Sequence, residues 1–263
     1  MDSTYKLYIL GSRGTHSVFG DEFKVFGGQT SCYVIKHDDY ALIVDCGTGL
    51  YSIKGLLSDC KKIDILLTHV HYDHIIGLLN ESAFPKDAEY NFYGNFSKWS
   101  QTNIFDDFFK KPFWPVNNMI GKLNDIQNNG NSIQLTDSIS FSSYNSNHPD
   151  DTSVYVINVN NKKVCILSDF ENSNGFDTKV VNNADYLLYD GMFDVNEYEK
   201  RIGWGHSSWL EGCKLAKKEN VKNLVITHHS PLNDDKTLLE MENKCKNEFA
   251  NSSFARFGDI YQL

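Results

Sequence analysis

The most informative part of the chain is residues 63–74, with the sequence Ile63-Asp64-Ile65-Leu66-Leu67-Thr68-His69-Val70-His71-Tyr72-Asp73-His74. Its first five residues are mostly apolar and predict a buried β-strand. Side chains two residues apart in extended backbone face the same side, so His69 and His71 can bind one cation together. Asp73 and His74 lie where the chain turns into a helix and can reach a second cation. The motif therefore predicts a metal site at the end of a strand.

Three further metal-binding side chains follow predicted strands: His148, Asp169 and His228. Because α/β folds gather ligand-binding side chains beyond the carboxyl ends of their strands, five histidines and two aspartates can converge on one edge. Imidazole and carboxylate donors without a thiolate suit zinc, and also manganese, iron, cobalt or nickel. We expect two divalent metal ions, with Zn²⁺ as the default and Mn²⁺ as its main rival.

The remaining chain contains short β-rich runs that end in Gly, Asp or Asn. They predict strands at 6–10, 31–36, 40–44, 63–68, 139–144, 153–159, 163–167, 186–189 and 223–227. Ser208 followed three residues later by Glu211 is a capping-box pattern, which predicts a helix from Ser208 to about Asn220. This order of elements indicates an α/β fold in which two sheets pack face to face with helices outside.

Residues 81–131 differ in character, because they are rich in aromatic residues and then in asparagine. We interpret them as a surface insertion or lid within a single domain that spans residues 1–263. The aromatic cluster is either a lid that stacks on a base or a subunit contact; its members are Phe105, Phe108, Phe109, Phe113 and Trp114.

Composition excludes some classes of protein. The 263 residues include 34 acidic and 25 basic ones, for a net charge of -9, which argues against a general nucleic-acid binder. No apolar run approaches the roughly 18 residues of a membrane span, and the N-terminus lacks a signal pattern. The six cysteines are scattered, as in a reducing compartment. We expect a soluble cytoplasmic protein with no membrane partner.

Seven short segments complete a pattern that spans almost the whole chain: residues 10–14, 27–32, 45–50, 147–149, 168–169, 205–208 and 227–229. Together with the 69–74 motif they resemble the metallo-β-lactamase-fold superfamily, in its phosphodiesterase branch alongside the ribonuclease Z group. The resemblance implies a four-layer αββα sandwich, here with an aromatic-rich insertion, that carries a dinuclear metal site on one rim.

The resemblance also assigns roles to individual residues. One metal ion would be held by His69, His71 and His148, the other by Asp73, His74 and His228, with Asp169 bridging them. His206, just before the predicted helix, would protonate the leaving group, and Asp73 is the second residue expected to act in catalysis.

Several neighbouring residues receive weaker assignments. His228 rather than His229 is the expected ligand because it directly follows the strand; His229 is either a substrate contact or a surface or second-layer histidine. Asp45 is expected to support a turn, and Asp190 matches no ligand role. Arg13 either touches substrate or lies in a solvated loop.

The implied reaction is hydrolysis of a phosphodiester by a hydroxide that bridges two metal ions. The residues around His148 and His206 are most similar to phosphoribosyl cyclic phosphodiesterases and to the proteins with which bacteriophages degrade the cyclic nucleotides of cyclic-pyrimidine (Pycsar) defence. We therefore expect a small cyclic phosphate as substrate, in particular a cyclic nucleotide. A homodimer is usual in such relatives, and a phage-encoded protein would act in the host cytosol.

Three alternatives remain. A tRNA 3′-processing endoribonuclease is disfavoured by the acidic balance, the scarcity of arginine and the absence of a Gly- and Lys-rich arm. A thioester or lactone hydrolase would use the same hydroxide but gives His206 no task. A non-catalytic metal-binding domain should have lost at least one of the seven expected metal ligands or His206, and all eight residues are present.

Overall fold

Two seven-stranded β-sheets form the centre of the molecule in the computed structural model, which describes residues 4–53, 55–101, 103–115, 121–172 and 175–263. The first sheet contains β1 (Lys6–Gly11), β2 (Cys32–His37), β3 (Tyr40–Val44), β4 (Lys62–Leu66), β5 (Glu89–Gly94), β6 (Lys122–Asp125) and β14 (Ile260–Gln262). Its spatial order is β14-β1-β2-β3-β4-β5-β6. Pairing is antiparallel from β14 to β3 and parallel from β3 to β6.

The second sheet has a similar division. It contains β7 (Asn129–Thr136), β8 (Ile139–Asn145), β9 (Ser153–Val159), β10 (Lys162–Leu167), β11 (Tyr186–Asp190), β12 (Asn223–Thr227) and β13 (Ser252–Phe254). Strands β7 to β10 pair antiparallel, and β10 to β13 pair parallel, in the order β13-β12-β11-β10-β9-β8-β7. Each sheet therefore has a parallel half whose carboxyl ends share one edge.

Helices cover both outer faces. They are α1 (Tyr72–Ile75), α2 (Phe96–Trp99), α3 (Ile104–Phe108), α4 (Val195–Tyr198), α5 (Trp209–Lys218) and α6 (Asp235–Glu248). Ile75, Phe96 and Phe105 pack on the outer face of the first sheet, and α5 and α6 pack on that of the second. Of the described helices, none is both long and apolar enough to cross a bilayer.

Strand β3 shows why the sheets are buried on both faces. All five of its residues are buried. Leu42 and Val44 join the core between the sheets, whereas Ala41 and Ile43 join the outer core, as the two-residue period of a strand requires. A run without polar alternation is typical of such a strand. The arrangement confirms the predicted order of helix, sheet, sheet and helix layers.

The aromatic segment 81–131 contributes directly to the first sheet. It supplies β5 and β6, and Phe92, Phe105 and Phe109 are buried against the outer face of that sheet. At least residues 89–94 and 122–125 are thus part of the sandwich. Residues 116–120, where the asparagine-rich stretch begins, lie outside the described residues. The single-domain assignment and the role of the segment as lid or subunit contact stay predictions.

The predicted capping box marks the start of α5. Ser208 Oγ accepts a hydrogen bond from the backbone N–H of Glu211 at 3.4 Å, and the helix begins at Trp209. The helix ends at Lys218, two residues before the predicted end, because Asn220 adopts a left-handed conformation with φ 53°.

A buried ion pair ties α6 to the chain after β13. The guanidinium of Arg256 donates to both carboxylate oxygens of Glu242, at 2.9 and 2.8 Å, and the backbone N–H of Phe254 donates to the same carboxylate at 2.9 Å. Burial by itself would raise the pKa of Glu242, but these donors outweigh it and lower the pKa to about 2. Glu242 therefore stabilises the fold in its charged form.

Replacing this residue should give a pH-dependent loss of stability. We expect Glu242→Gln to lower the free energy of unfolding at pH 7 by about 2 kcal/mol, since one partner of a buried pair is lost. The folded-state pKa lies below the unfolded value, so this contribution is present above the unfolded pKa and disappears as pH falls toward about 2.

Urea unfolding at several pH values measures this difference. Glu248→Gln is the matched control, because Glu248, at the end of α6, forms a half-exposed pair with Lys217 of α5 and should change stability little. An effect of Glu242→Gln that is equally large at pH 7 and below pH 3 would contradict the charged-pair interpretation.

Candidate metal centre

All seven predicted metal ligands lie just beyond the carboxyl ends of strands, on one edge of the sandwich. His69, His71, Asp73 and His74 follow β4, and Asp73 and His74 lie in α1. The other three follow strands of the second sheet, namely His148 after β8, Asp169 after β10 and His228 after β12. The site therefore forms where the edges of the two sheets meet.

Left-handed backbone turns the chain at three strand ends on this edge, those of β3, β10 and β12. Asp45 after β3, Asp169 and His228 have φ values of 60°, 52° and 56°. A residue other than glycine in this conformation carries strain and persists only where its surroundings hold it, which is characteristic of functional sites.

The first donor cluster consists of His69, His71, His148 and Asp169, with one donor atom of each within 4.8 Å of the others. His148 Nε2 lies 3.4 Å from His71 Nδ1, and Asp169 Oδ2 lies 3.6 Å from His69 Nε2 and 3.8 Å from His148 Nε2. An ion with tetrahedral bonds of the usual Zn–N length separates neighbouring donors by about 3.4 Å. The spacing fits a single small divalent cation.

The second cluster consists of Asp73, His74, Asp169 and His228, again with donor atoms within 4.8 Å of one another. Asp169 Oδ1 lies 3.1 Å from His74 Nε2 and 3.0 Å from His228 Nδ1, and Asp73 Oδ2 lies 3.4 Å from His74 Nε2. Asp169 thus presents Oδ2 to the first cluster and Oδ1 to the second. This is the arrangement of a carboxylate that bridges two cations.

Several donor atoms here are buried without a hydrogen-bond partner. They are His69 Nε2, His74 Nε2 and both ring nitrogens of His228. Because buried polar atoms are nearly always satisfied, nitrogen and oxygen atoms that converge without partners indicate a place where a cation binds. Burial also lowers the pKa of His69 and of His148, which favours the neutral imidazole that binds metal. The residues present therefore fit a pair of divalent cations.

Partners on the far side of the rings fix their orientation. His74 Nδ1 donates to Asp45 Oδ2 at 2.7 Å, His148 Nδ1 donates to the carbonyl of Gly205 at 3.1 Å, and His71 Nε2 lies 3.1 Å from Asp150 Oδ2. Such contacts orient metal ligands and raise their basicity. Asp45, which the sequence suggested only as a turn former, is therefore a positioning residue for His74. Its place directly after the buried strand β3 was the available signal.

His206 lies next to the clusters and is held by Asp190. Its Nδ1 donates to Asp190 Oδ2 at 2.8 Å, and its ring centroid lies 4.8 Å from that of His148 and 5.0 Å from that of His228. Burial alone would lower the pKa of His206, but the Asp190 carboxylate outweighs it and raises the pKa to about 9. Asp190 thus fixes Nδ1 of His206 and favours the protonated imidazole.

Asp190, which matched no role in the sequence, is the anchor of this histidine. It is fully buried and accepts hydrogen bonds from the backbone N–H groups of Phe170, Met192 and Ser207 as well as from His206. Asp190, His206 and His228 also lie within 4.8 Å of one another. Since the oxygens of Asp190 are already occupied, we interpret the group as an oriented acid rather than a third metal site.

The clusters open into a cavity of about 420 Å³, whose lining comprises Thr15, Val70, His71, Tyr72, Asp73, His148, Asp169, His206 and His228. His69 and His74 are fully buried. The backbone N–H of Thr15 donates to Asp73 Oδ2 at 2.7 Å, which fixes one carboxylate oxygen at the cavity. The volume is in the range of small-molecule sites.

Two suggested substrate contacts are wrong. Arg13 is fully buried and donates to the carbonyls of Gly27, Ser230 and Asn233, so it neither reaches the cavity nor lies in a solvated loop. His229 is also fully buried, with Nε2 3.0 Å from the carbonyl of Ala255, and burial lowers its pKa to about 3. Both residues hold the loop after β12 in place.

Parts of this sequence are similar to a known protein family and to ribonucleases. Residues 25–82 match the model of the metallo-β-lactamase superfamily. Ribonuclease BN of Proteus mirabilis is 33% identical over 85 residues, which cover 32% of this chain and 28% of that protein. Ribonuclease Z 2, mitochondrial, of Schizosaccharomyces pombe is 25% identical over 256 residues, covering 89% of this chain and 35% of that protein. The matches thus span about a third or less of these relatives.

Solved structures share the architecture along the whole chain. The metallo-β-lactamase fold protein YhfI of Bacillus subtilis superposes with a TM-score of 0.73 at 19% identity, covering 100% of both chains. A diphosphatase of the PhnP family gives 0.71 at 18%, covering 99% of this chain and 97% of the other. Human tRNase Z, short form, gives 0.68 at 18%, covering 97% and 98%. The chain has the metallo-β-lactamase fold and a ribonuclease Z-like sequence, which confirms the predicted resemblance.

Removing the shared carboxylate should lower the metal content of the site. We expect Asp169→Asn to bind at most one divalent ion per chain where the parent binds two, because a carboxamide does not bridge cations as a carboxylate does. Elemental analysis after exhaustive dialysis against a zinc buffer measures the stoichiometry. Asp39→Asn, at an exposed ion pair with Lys61, is the control for loss of a surface carboxylate. Two ions retained by Asp169→Asn would refute the bridging arrangement.

Proposed function

We propose that this metallo-β-lactamase-fold protein is a metal-dependent phosphodiesterase that hydrolyses a cyclic nucleotide or a related small cyclic phosphate. The proposal assigns one divalent cation to His69, His71 and His148, a second to Asp73, His74 and His228, and both to Asp169. The observation that carries it is the Asp190-anchored His206 beside the two donor clusters, because the hydrolysis of an ester of phosphoric acid needs a proton for its leaving oxygen.

A pair of divalent cations in these clusters would lower the pKa of a bound water to about 7 and neutralise charge on the phosphoryl oxygens. The chain supplies the rest. Asp190 holds Nδ1 of His206, so Nε2 is the nitrogen left to deliver a proton to the departing oxygen. Asp73 Oδ2 accepts the backbone N–H of Thr15, which holds the carboxylate at the cavity. In the proposal Asp73 is both a metal ligand and the second residue that acts in catalysis.

The volume of the cavity and the net charge of the chain support a small substrate. The cavity of about 420 Å³ suits a mononucleotide, whereas a net charge of -9 does not favour a polynucleotide. The likeness to ribonuclease Z and to a PhnP-family diphosphatase supports phosphate-ester chemistry. The proposal also includes a homodimer that acts in the cytosol. It favours zinc over manganese as the bound metal. Its biological role would be to degrade the cyclic nucleotides of Pycsar defence.

Processing of tRNA 3′ ends is the second candidate, because the curated relatives include ribonuclease Z proteins. Hydrolysis of a thioester or lactone is less favoured, since it gives the anchored His206 no proton to deliver.

A substrate panel separates these functions. Zinc- and manganese-loaded protein is incubated with 3′,5′- and 2′,3′-cyclic mononucleotides, cyclic dinucleotides, a tRNA precursor and a thioester, and products are identified by mass. We expect ring opening of at least one cyclic mononucleotide. Cleavage of the tRNA precursor with every cyclic phosphate left intact would reject the proposal in favour of the endoribonuclease.

The role of His206 has its own test. We expect His206→Ala to keep both metal ions while its turnover number falls by about 10² to 10⁴, the usual contribution of a positioned general acid. Elemental analysis and steady-state kinetics measure the two effects. His37→Ala, at the end of β2, is the control histidine. Unchanged turnover, or loss of a metal ion, would rule out a purely acid role.

A further inference from the structure

We infer that a second cavity beside His206 binds the aromatic base of a nucleoside substrate; the inference rests on the proposed phosphodiesterase activity. We name it the Trp204 pocket. Its volume is about 360 Å³, and its distinguishing wall residues are Met192, Phe193, Arg201, Trp204, Pro231 and Leu232.

The Trp204 pocket adjoins the metal cavity. Thr15 and His206 line both, so the two cavities meet at the residue proposed to protonate the leaving oxygen. A substrate whose phosphate lies at the metal clusters therefore extends past His206 into the Trp204 pocket. The pocket is therefore placed to bind the part of the substrate that carries the leaving oxygen.

One part of the pocket wall is apolar and partly exposed, whereas His16, Glu197 and Arg201 supply polar groups elsewhere in the lining. Trp204 is 62% exposed and Leu232 is 84% exposed, whereas Met192 and Phe193 are buried and form the deeper wall. Large apolar side chains left in water around a concavity are typical of ligand sites. A flat aromatic ring can stack on an indole, whereas a bare sugar cannot use such a wall to the same extent.

Arg201 gives the pocket a fixed polar group. Its Nη1 donates to Glu197 at 3.0 Å, and its guanidinium lies 4.9 Å from the ring centroid of Phe193 and 5.7 Å from that of Trp204. A guanidinium carries five N–H donors, and this ion pair uses one of them. The others are suited to the carbonyl oxygens and ring nitrogens of a base.

The loop that carries Trp204 is anchored before any ligand binds. The buried carboxylate of Glu171 accepts the backbone N–H of Gly203 at 2.8 Å and that of Gly205 at 2.9 Å, on both sides of Trp204. Gly205 in turn accepts from the metal-site residue His148 at 3.1 Å. A stacking surface held in this way loses little freedom on binding.

Kinetics with a matched pair of substrates test this inference. We expect Trp204→Ala to raise KM about tenfold for a cyclic nucleotide and less than about twofold for the 3′,5′-cyclic phosphate of 1-O-methylribose, which lacks a base. Phe257→Ala, another partly exposed aromatic that lines neither cavity, is the control and should leave both KM values unchanged. An equal rise for both substrates would overturn the inference.

A binding measurement separates this inference from the proposed function. In zinc-loaded protein labelled with ¹⁵N-tryptophan, Trp204→Phe identifies the indole resonance of Trp204. We expect that resonance to shift on titration with a nucleoside 5′-monophosphate and to stay in place with ribose 5-phosphate. This outcome supports the base site even if no cyclic phosphate is hydrolysed. Absence of a shift at saturating nucleotide, with hydrolysis intact, would overturn it.

Discussion

The carboxylate of Asp169 is the contact on which the site depends. Its Oδ2 faces His69 and His148, and its Oδ1 faces His74 and His228. Four imidazoles crowd around this carboxylate in a buried space, and several of their nitrogens have no hydrogen-bond partner, as expected of atoms that bind a cation. A shared carboxylate makes the two donor clusters parts of one centre. A displacement of Asp169 at the end of β10 therefore alters the surroundings of the ligands that follow β4, β8 and β12.

The fold supplies the geometry by ending strands of both sheets at one edge. Parallel pairing in β3–β6 and in β10–β13 directs several carboxyl ends the same way. The left-handed residues Asp45, Asp169 and His228 then turn the chain sharply at that edge. Strain at these three positions is sustained by the buried sheets beneath them, which is why a rigid sandwich rather than a mobile loop carries the ligands.

Two buried acids connect the metal centre to the neighbouring residues. Asp190 fixes His206, and Glu171 fixes the loop around Trp204 whose Gly205 carbonyl orients His148. Glu171 and Asp169 follow the same strand, β10. His206, the Trp204 loop that lines the proposed nucleobase pocket, and the metal ligand His148 are therefore linked to one another through a few hydrogen bonds. Glu171 holds the Trp204 loop through backbone N–H groups, and Asp190 holds His206 through Nδ1 alone, which leaves the indole of Trp204 and Nε2 of His206 available for substrate.

Local pattern in the sequence determined nine of the fourteen described β-strands to within one or two residues at their ends, the cap at Ser208 and the 69–74 ligand motif, but not the strands at 89–94, 122–125, 129–136, 252–254 and 260–262. These features depend on alternation and spacing over a few residues. The tertiary structure alone decided that Asp45 orients His74, that Asp190 anchors His206, and that Arg13 is buried against Ser230, contacts that span 29, 16 and 217 residues. It also decided that the aromatic residues 89–94 form a sheet strand. Long-range packing selects such partners, and no local periodicity encodes them.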